Sequence, residues 1–308
     1  MNFFGRRLSA MSILAAGLLA ICGVVASFAY DTAVTRLGQL DDVMSAAVPL
    51  DDPAKTKSLD GRIVIATGTA APAEDLRDTA FNLSVPAIKL MRESQIYQWE
   101  QTGSKFKTYE KGWSQSPVDS YFFERTHKNT GRISYPTQVN TASSINLVQS
   151  DKRLALLDPS FAQFLGGQMK LMISWNQYKA MPADIRLRFD LVDGSLLEKA
   201  AAAGEPRIGD NRTRFMMVPP HEVTVVGMLI SGRIMSMDRS LNPIGILLPG
   251  KLDVADVREA ITAGIIGDVA LPGFLALALW AAGMIMFRTD FRNAPKVIKP
   301  TKPIRLGR

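Results

Sequence analysis

The chain carries near its C-terminus the stretch VALPGFLALALWAAGMIMF, Val269–Phe287, which is 19 residues long and has no charged side chain. A hydrocarbon core of about 30 Å needs roughly 20 apolar residues at 1.5 Å each, so this run is long enough to cross a membrane. Pro272 falls in the first turn of the run, where a missing N–H is harmless, and Arg288 ends it. The stretch predicts a transmembrane helix.

A second apolar run, MSILAAGLLAICGVVASFAY, occupies Met11–Tyr30. Arg6 and Arg7 before it and the small residues of Ser27–Ala29 at its end are also typical of a cleaved signal peptide. Its 20 residues are long for a signal peptide, and length therefore favours an uncleaved transmembrane anchor. Both interpretations stay open at this point.

The net positive charge of the chain lies outside the two apolar runs. Residues 31–262 hold 27 basic and 27 acidic groups, so the formal charge of +7 comes from Arg6, Arg7 and the residues around the second run. The basic residues after that run are Arg288, Arg292, Lys296, Lys299, Lys302, Arg305 and Arg308. Lys and Arg concentrate on cytoplasmic flanks of membrane helices. The charge predicts two cytoplasmic termini and argues against nucleic acid as a partner.

These features predict an α+β membrane protein in which two transmembrane helices flank a β-rich extracytoplasmic domain with short helices near the membrane. The expected order is a cytoplasmic N-terminus (1–10), a transmembrane helix (11–30), the domain (31–262), a membrane-proximal turn with a second transmembrane helix (263–287) and a basic cytoplasmic tail (288–308). The middle segment is long enough to bury its own core. The single cysteine, Cys22, lies in the first run and excludes an intramolecular disulfide.

Apolar alternation and turn residues predict the elements of the domain. The predicted strands are Arg62–Thr69, Val85–Lys89, Gln95–Gln101, Lys105–Tyr109, Asp184–Val192, Arg214–Val218, Glu222–Ile230 and Arg233–Met237, with a hairpin turn at Ser231-Gly232. The predicted helices are Asp31–Ala47, a short helix begun by Asp158-Pro159, Leu196–Ala203, and one capped by Asp253 that leads into the second membrane run.

The chain has little of the sequence chemistry of an enzyme. It lacks nucleophile-elbow, phosphate-loop and dinucleotide-binding motifs, and its inventory excludes Cys or paired-His metal sites, so we expect no cofactor and no metal. The remaining candidate is ERTHKN, Glu124–Asn129, in which His127 follows a glutamate by three residues and could act as a general acid or base. The alternative is a surface turn ended by Thr130-Gly131. The absence of a paired nucleophile favours the turn.

Motifs spread over residues 30–260 resemble those of one family. VPAIKLMR (Val85–Arg92) continues to YQWE (Tyr97–Glu100), and Trp113, HKN (His127–Asn129) and RIGD (Arg207–Asp210) follow in order. With these motifs the domain resembles the LUMA family, also called the transmembrane protein 43 family. The resemblance marks as candidate binding residues Pro86, Lys89, Arg92, Tyr97, Gln98, Trp99, Trp113, His127, Lys128, Asn129, Gly209, Asp210 and Arg212.

The resemblance implies a membrane protein with a cytoplasmic N-terminus, a large lumenal or periplasmic domain and no established enzymatic activity. Family members commonly have three or more helices after the domain, whereas this chain has one, which favours a short bacterial-type member. The expected location is the inner membrane in a bacterium, or the endoplasmic reticulum or inner nuclear membrane in a eukaryote.

Two functions from different classes follow. The preferred one is a non-enzymatic scaffold that self-associates or binds another membrane protein close to the bilayer, in contact with membrane lipids. Pairs of small residues at Ala16/Ala20, Gly23/Ser27 and Ala278/Ala282 are compatible with close helix packing and with a homo-oligomer. The alternative is a membrane-anchored enzyme acting on lipid or envelope substrates, with His127, Lys128 and Asp210 as weak catalytic candidates.

Overall fold

A computed structural model of the chain describes residues 10–103, 107–202, 204–236 and 246–293. These residues form two compact units, one spanning residues 43–257 and the other containing the two terminal helices. Several predicted features lie outside the described residues: Arg6, Arg7, the basic tail from Lys296 to Arg308, and part of the strands predicted over Lys105–Tyr109 and Arg233–Met237.

Two long helices contain the predicted membrane runs. Helix α1 spans Ala10–Ala46 and includes the helix predicted after the first run, and helix α5 spans Val254–Asn293. The predicted cap at Asp253 is confirmed, because its Oδ1 accepts the Asp256 N–H at 2.8 Å. The predictions of a turn from residue 263 and of a helix that starts beside Pro272 are wrong. The apolar spacing before the run continues the same helix, so Pro272 lies inside α5.

The apolar side chains of α1 and α5 are mostly exposed. Val24, Phe28, Leu271 and Phe274 have exposed fractions of 71, 70, 77 and 69 %. A buried helix of a soluble protein covers its apolar side chains, whereas helices that are apolar and uncovered on most sides are suited to lipid. The helices therefore have the length and the surface of two membrane spans.

The two helices contact each other through small residues and ion pairs. A Cβ added at Gly283 of α5 would lie 3.0 Å from Cγ of Leu19 in α1, so the two helices are in close contact there. Arg36 pairs with Asp268 at 2.8 Å. The small-residue pairs singled out in the sequence do not form this contact. They lie on exposed sides of the helices and comprise Ala16, Ala20, Gly23, Ser27, Ala278 and Ala282.

The unit of residues 43–257 is rich in strands joined by turns and short helices. The described strands are β1 (Val48–Pro49), β2 (Ile63–Pro72), β3 (Leu76–Asp78), β4 (Leu83–Val85), β5 (Lys89–Thr102), β6 (Thr108–Ser114), β7 (Gln138–Thr141), β8 (Ile145–Gln149), β9 (Lys152–Leu157), β10 (Met169–Leu171), β11 (Phe189–Val192), β12 (Ser195–Glu198), β13 (Asn211–Val218), β14 (His221–Ile230), β15 (Arg233–Met235) and β16 (Ile246–Pro249). The described helices are α2 (Trp175–Lys179), α3 (Ala183–Arg188) and α4 (Lys199–Ala202), with 3-10 turns at Pro53–Thr56 and Pro159–Gln163.

One sheet closes on itself. Strand β2 pairs with β8 on one side and with β14 on the other, and the ring continues through β9 and β15, with β1 and β16 attached outside this ring. Apolar side chains that alternate along these strands fill the interior, among them Val64, Ile145, Leu157, Val223 and Ile234. Gly68 permits the close approach of β2 and β8, because a Cβ there would lie 2.6 Å from the Val148 carbonyl oxygen.

The second sheet has the order β11-β12-β13-β5-β6, with β10 paired to β13 and β7 paired to β5. One of its faces packs on a core that includes Phe81, Leu90, Ile185, Phe189 and Phe215. Arg92 and Gln98 lie on this buried face as well, and the opposite face carries Tyr97, Trp99 and the side chains around them. The predicted fold class, two apolar helices flanking a β-rich domain, is confirmed.

Several predicted elements differ from the structure. Val85–Lys89 and Gln95–Gln101 were expected as two strands, but β4 ends at Val85 and the single long strand β5 covers the second. The first half of Asp184–Val192 is helix α3, because Pro182 begins a helical turn that buries Ile185 and leaves Leu187 exposed.

The helix predicted over Leu196–Ala203 is replaced at its start by strand β12. Asp193 and Gly194 have positive φ angles of 46° and 67°, the geometry of a two-residue hairpin turn, and they pair β12 with β11. The hairpin predicted at Ser231-Gly232 and the short helix begun by Asp158 are both confirmed.

Candidate functional site

Strand β5 carries five of the thirteen candidate residues, and the alternation of a strand divides them between two faces. Arg92 and Gln98 point to one face and are buried, with 4 and 2 % of their surfaces exposed. Tyr97 and Trp99 point to the other face, which is partly open to solvent. The strand therefore places some motif residues inside the domain and presents others at its surface.

Arg92 forms a buried ion pair. Its Nη1 donates to both carboxylate oxygens of Asp78, at 2.9 and 2.8 Å, and the Asp78 side chain is 2 % exposed. Nε donates to the Pro136 carbonyl oxygen at 3.1 Å and Nη2 to Oε1 of Gln138 at 3.0 Å. The guanidinium also lies 5.3 Å from the centre of the Phe81 ring. Arg92 thus joins β3, β5 and β7 and has no open side for a ligand.

Gln98 and Lys128 hold the 115–137 loop, the segment between β6 and β7. The Gln98 amide donates to the Ser116 carbonyl oxygen at 2.9 Å and accepts the Val118 N–H at 3.0 Å. The Lys128 ammonium donates to three carbonyl oxygens, those of Ser120, Tyr121 and Phe123, at 2.8, 2.8 and 2.9 Å. Because all three donors of an ammonium are then engaged, Lys128 organises the loop and has no free proton to offer a substrate.

Asn129 occupies an open edge of β5. Strand β13 pairs with β5 only as far as Ile96, opposite Asn211. Beyond Ile96 on β5, the Asn129 side chain accepts the Trp99 N–H at 2.7 Å and donates to the Trp99 carbonyl oxygen at 3.0 Å. A side-chain amide has the same donor and acceptor as a backbone peptide, so Asn129 continues the ladder in place of a strand residue.

His127 lies between two aromatic rings. It stacks on Tyr109, with ring centres 4.2 Å apart and an angle of 10°, and meets the edge of Trp99 at 4.5 Å. Its Nδ1 is 3.1 Å from Oγ1 of Thr126 and 3.8 Å from a carboxylate oxygen of Glu124. The Lys111 ammonium lies 4.9 Å from the centre of the Trp99 ring. The arrangement is an aromatic stack that fixes the loop against the sheet.

Arg212 completes the same face. Its Nε and Nη2 donate to Oε1 of Gln95 at 2.9 and 2.6 Å, and its guanidinium lies 4.6 Å from the ring centre of Trp113. Trp113 in turn packs on Tyr97, with ring centres 5.2 Å apart. Burial, together with the nearby charge of Arg214, lowers the pKa of Arg212 from its ordinary value. Guanidinium and indole stack here as a cation–π pair.

Gly209 and Asp210 form a turn beside β5. Asp210 accepts the Arg207 N–H at 2.7 Å, its carbonyl oxygen accepts the Tyr97 N–H at 2.9 Å, and the Gly209 N–H donates to the Tyr97 carbonyl oxygen at 2.9 Å. Gly209 has a φ of 100°, which favours glycine. A backbone-bound Asp210 carboxylate has a structural role.

Two candidate residues stand apart from these contacts. Pro86 is exposed between β4 and β5. Lys89 begins β5, where its backbone pairs with β7 and β13, and its half-buried side chain forms no hydrogen bond or ion pair with another described residue. The sequence reasoning missed Asp78, Ser120 and Tyr109, which complete the network. Alternation in the strand predicted before Tyr109 indicated a half-buried ring, but nothing local indicated its stacking on His127.

The network joins side chains to backbone groups and rings to rings. Within residues 10–103, 107–202, 204–236 and 246–293, no group of three His, Cys, Asp or Glu side chains is placed to hold a metal ion. The described contacts of these side chains hold the 115–137 loop and the Gly209-Asp210 turn against the sheet.

Comparison with known proteins gives a match that covers the domain from Met91 onward and most of the second membrane helix. The family model described as Transmembrane protein 43 matches residues 91–289, more than half of the chain. The chain belongs to the transmembrane protein 43 family. The match includes β5, the 115–137 loop, the Gly209-Asp210 turn and most of α5, and the chain is thus a membrane protein of this family.

A curated relative supports the assignment. The chain is 26 % identical over 221 residues to the Transmembrane protein 43 homolog of Drosophila melanogaster, an alignment that covers 65 % of this chain and 55 % of that protein. The chain therefore spans about half the length of the curated relative it matches. No solved structure gives a significant match.

Proposed function

We propose that this member of the transmembrane protein 43 family is a non-enzymatic membrane scaffold whose extracytoplasmic domain associates with a second copy of itself. The observation that carries the proposal is the set of hydrogen-bond partners of the Lys128, Asn129 and Gln98 side chains. Their polar groups bind backbone atoms of the 115–137 loop or of β5. The side chains expected from the sequence to do chemistry therefore hold a loop in one conformation, which a binding surface requires.

The held loop presents an exposed aromatic pair. Tyr121 and Phe122 are 75 and 80 % exposed, and their rings touch edge to face at 4.9 Å. The Lys128 ammonium binds the carbonyl oxygen of Tyr121 and fixes the backbone beneath the pair. Aromatic side chains on a rigid support lose little conformational freedom on binding, and tyrosine is enriched among residues that dominate interface energies.

A second copy is the partner that the charge distribution favours. Residues 31–262 carry equal numbers of basic and acidic groups, so two copies do not repel each other through net charge. The small residues of α1 and α5 that face away from the contact between those helices leave room for helices of another copy. Association through the domain and through the helices would be mutually compatible.

The same proposal includes a topology with both termini in the cytoplasm. It rests on Arg6 and Arg7 before the first span and on the seven basic residues that follow Phe287. Reporter fusions at residue 308 and within residues 43–257 test it. A reporter at residue 308 that lies on the far side of the membrane would overturn this topology.

Crosslinking of the full chain in native membranes, followed by mass spectrometry, tests the self-association. We expect a crosslinked dimer in the wild type and a several-fold loss of it in the double variant Tyr121→Ser/Phe122→Ser. Leu187→Ser is the matched control, because Leu187 is an apolar side chain of the same domain with 75 % exposure outside the loop. Recovery of monomer alone from the wild type would refute the proposal. An equal loss of the crosslinked dimer in Leu187→Ser would also refute it.

A further inference from the structure

A cleft of about 570 Å³ lies next to the motif network and shares Gly209 with it. It is lined by residues 131–135 of the 115–137 loop, by Arg188 at the end of α3, and by Gly209 and Asn211. Its volume falls in the range of small-molecule sites, which is roughly 300 to 1,000 Å³. We propose that this cleft binds an oxyanion, the phosphate or carboxylate group of a small organic anion.

Arg188 is the first reason. Its Nε donates to Oε1 of Glu198 at 2.6 Å and its Nη2 lies 2.5 Å from the same oxygen. The other carboxylate oxygen of Glu198 accepts the Asn211 N–H at 2.5 Å, so the carboxylate itself is held. Nη1 of Arg188 binds no described residue. The guanidinium is thus oriented by one of its edges and keeps donors on the other for a ligand.

Arg132 is the second reason. It is an exposed lining residue, and its guanidinium forms no hydrogen bond or ion pair with any described residue. The backbone beside it is fixed, because Gly131 and Gly209 meet so closely that a Cβ at Gly131 would lie 3.0 Å from Cα of Gly209. An unpaired guanidinium on a fixed backbone beside a second, oriented guanidinium forms a site for an oxyanion, which accepts forked N–H donors.

Two further polar groups limit what the cleft accepts. The Ser134 N–H donates to Oδ1 of Asn211 at 3.1 Å, which fixes the Ser134 backbone, and the Ser134 hydroxyl has no partner among the described residues. Tyr135 donates its hydroxyl to Asp184 at 3.4 Å. The carboxylates of Glu198, paired with Arg188, and of Asp184, beside Tyr135, offset much of the charge of the two arginines, so the cleft favours a single anionic group over a polyanion.

The test uses the full chain in nanodiscs of phosphatidylcholine, titrated with inorganic phosphate and with acetate and followed by ligand line broadening in NMR. We expect wild-type binding of at least one of the two anions and a loss of about tenfold or more in Arg132→Gln, since that side chain donates charged hydrogen bonds only to the ligand. Arg125→Gln is the matched control: Arg125 is exposed on the same loop, outside the cleft, and the substitution removes the same charge.

The source of the anion is resolved by repeating the titration in nanodiscs of phosphatidylglycerol. Binding that disappears there supports the cleft as a site for a lipid headgroup, and binding that persists supports it as a site for a free anion. No binding of either probe to the wild type in phosphatidylcholine, or an equal loss in Arg125→Gln and Arg132→Gln, would overturn the proposal.

Discussion

The buried pair of Arg92 and Asp78 allows a quantitative test of why a motif arginine lies inside this domain. Asp78→Asn keeps the shape of the side chain and removes the charge that faces Arg92 Nη1 at 2.8 Å. Both side chains are less than 5 % exposed, so the arginine would keep an uncompensated buried charge. Breaking such a pair costs about 3 to 5 kcal/mol of folding free energy.

The measurement is urea unfolding of the full chain in neutral detergent, followed by tryptophan fluorescence, to which Trp99, Trp113 and Trp175 of the domain contribute. The single variants Asp78→Asn and Arg92→Met and their double variant form a cycle. We expect the summed loss of unfolding free energy in the two single variants to exceed the loss in the double variant by about 2 kcal/mol or more. The reason is that the double variant leaves no unpaired charge.

An exposed pair is the control for this cycle. Lys55 and Asp51 are 2.6 Å apart, closer than the buried pair, but their side chains are 51 and 61 % exposed. Solvent screens such a pair, so we expect no measurable change in Asp51→Asn. If Asp78→Asn were as harmless as Asp51→Asn, the argument that Arg92 holds β3 against β5 would be wrong.

Three further predictions concern the loop, the core and the helices. Lys128→Met should speed amide hydrogen exchange over residues 118–130, because three carbonyl oxygens lose their donor, while Arg125→Met should not. Burial raises the pKa of Tyr178, which donates to the Phe189 carbonyl oxygen at 2.7 Å. The unfolding free energy of the wild type, measured in urea, should therefore fall as pH rises above about 10. Tyr178→Phe should be less stable than the wild type by about 1 kcal/mol at neutral pH, but its unfolding free energy should fall less over the same rise in pH. Gly283→Leu should lower the thermal stability of the detergent-solubilised chain more than Gly23→Leu does, because Gly23 has no atom within 4 Å of a new Cβ.

The features predicted correctly from the sequence are those specified by local chemistry. A run of apolar residues that spans a bilayer, an aspartate before a helix and the Ser231-Gly232 pair each act through their neighbours in the chain. The structure has α5 around the apolar run, Asp253 at its cap and the turn between β14 and β15.

The failures arise where tertiary contacts override a local pattern. Ile185 and Leu187 alternate with charged residues as in a strand, yet Ile185 packs in the core from a helical turn while Leu187 stays exposed. Asp193-Gly194 is a strong hairpin signal, and reading it would have placed β12 where a helix was predicted.

The candidate site was predictable in residue identity but not in role. Family motifs pointed to His127, Lys128 and Asp210, and their chemical types suggested acid–base work. The role of His127 depends on partners far away in sequence. The His127 ring needs Trp99 and Tyr109 beside it, and no local pattern specifies that stack.

Three of the motif residues, Asn129, Gly209 and Asp210, share one physical task, which is to complete an unpaired strand edge. Strand β5 is longer than its partner β13, and an exposed edge invites pairing with a strand of another chain. Gly209 and Asp210 bind Tyr97, and Asn129 binds both backbone groups of Trp99, so this edge is satisfied at Tyr97 and Trp99. Strand addition is therefore hindered at these two residues. Under the self-association proposed above, a second copy would be bound by side chains, and the same loop that closes the edge exposes Tyr121 and Phe122.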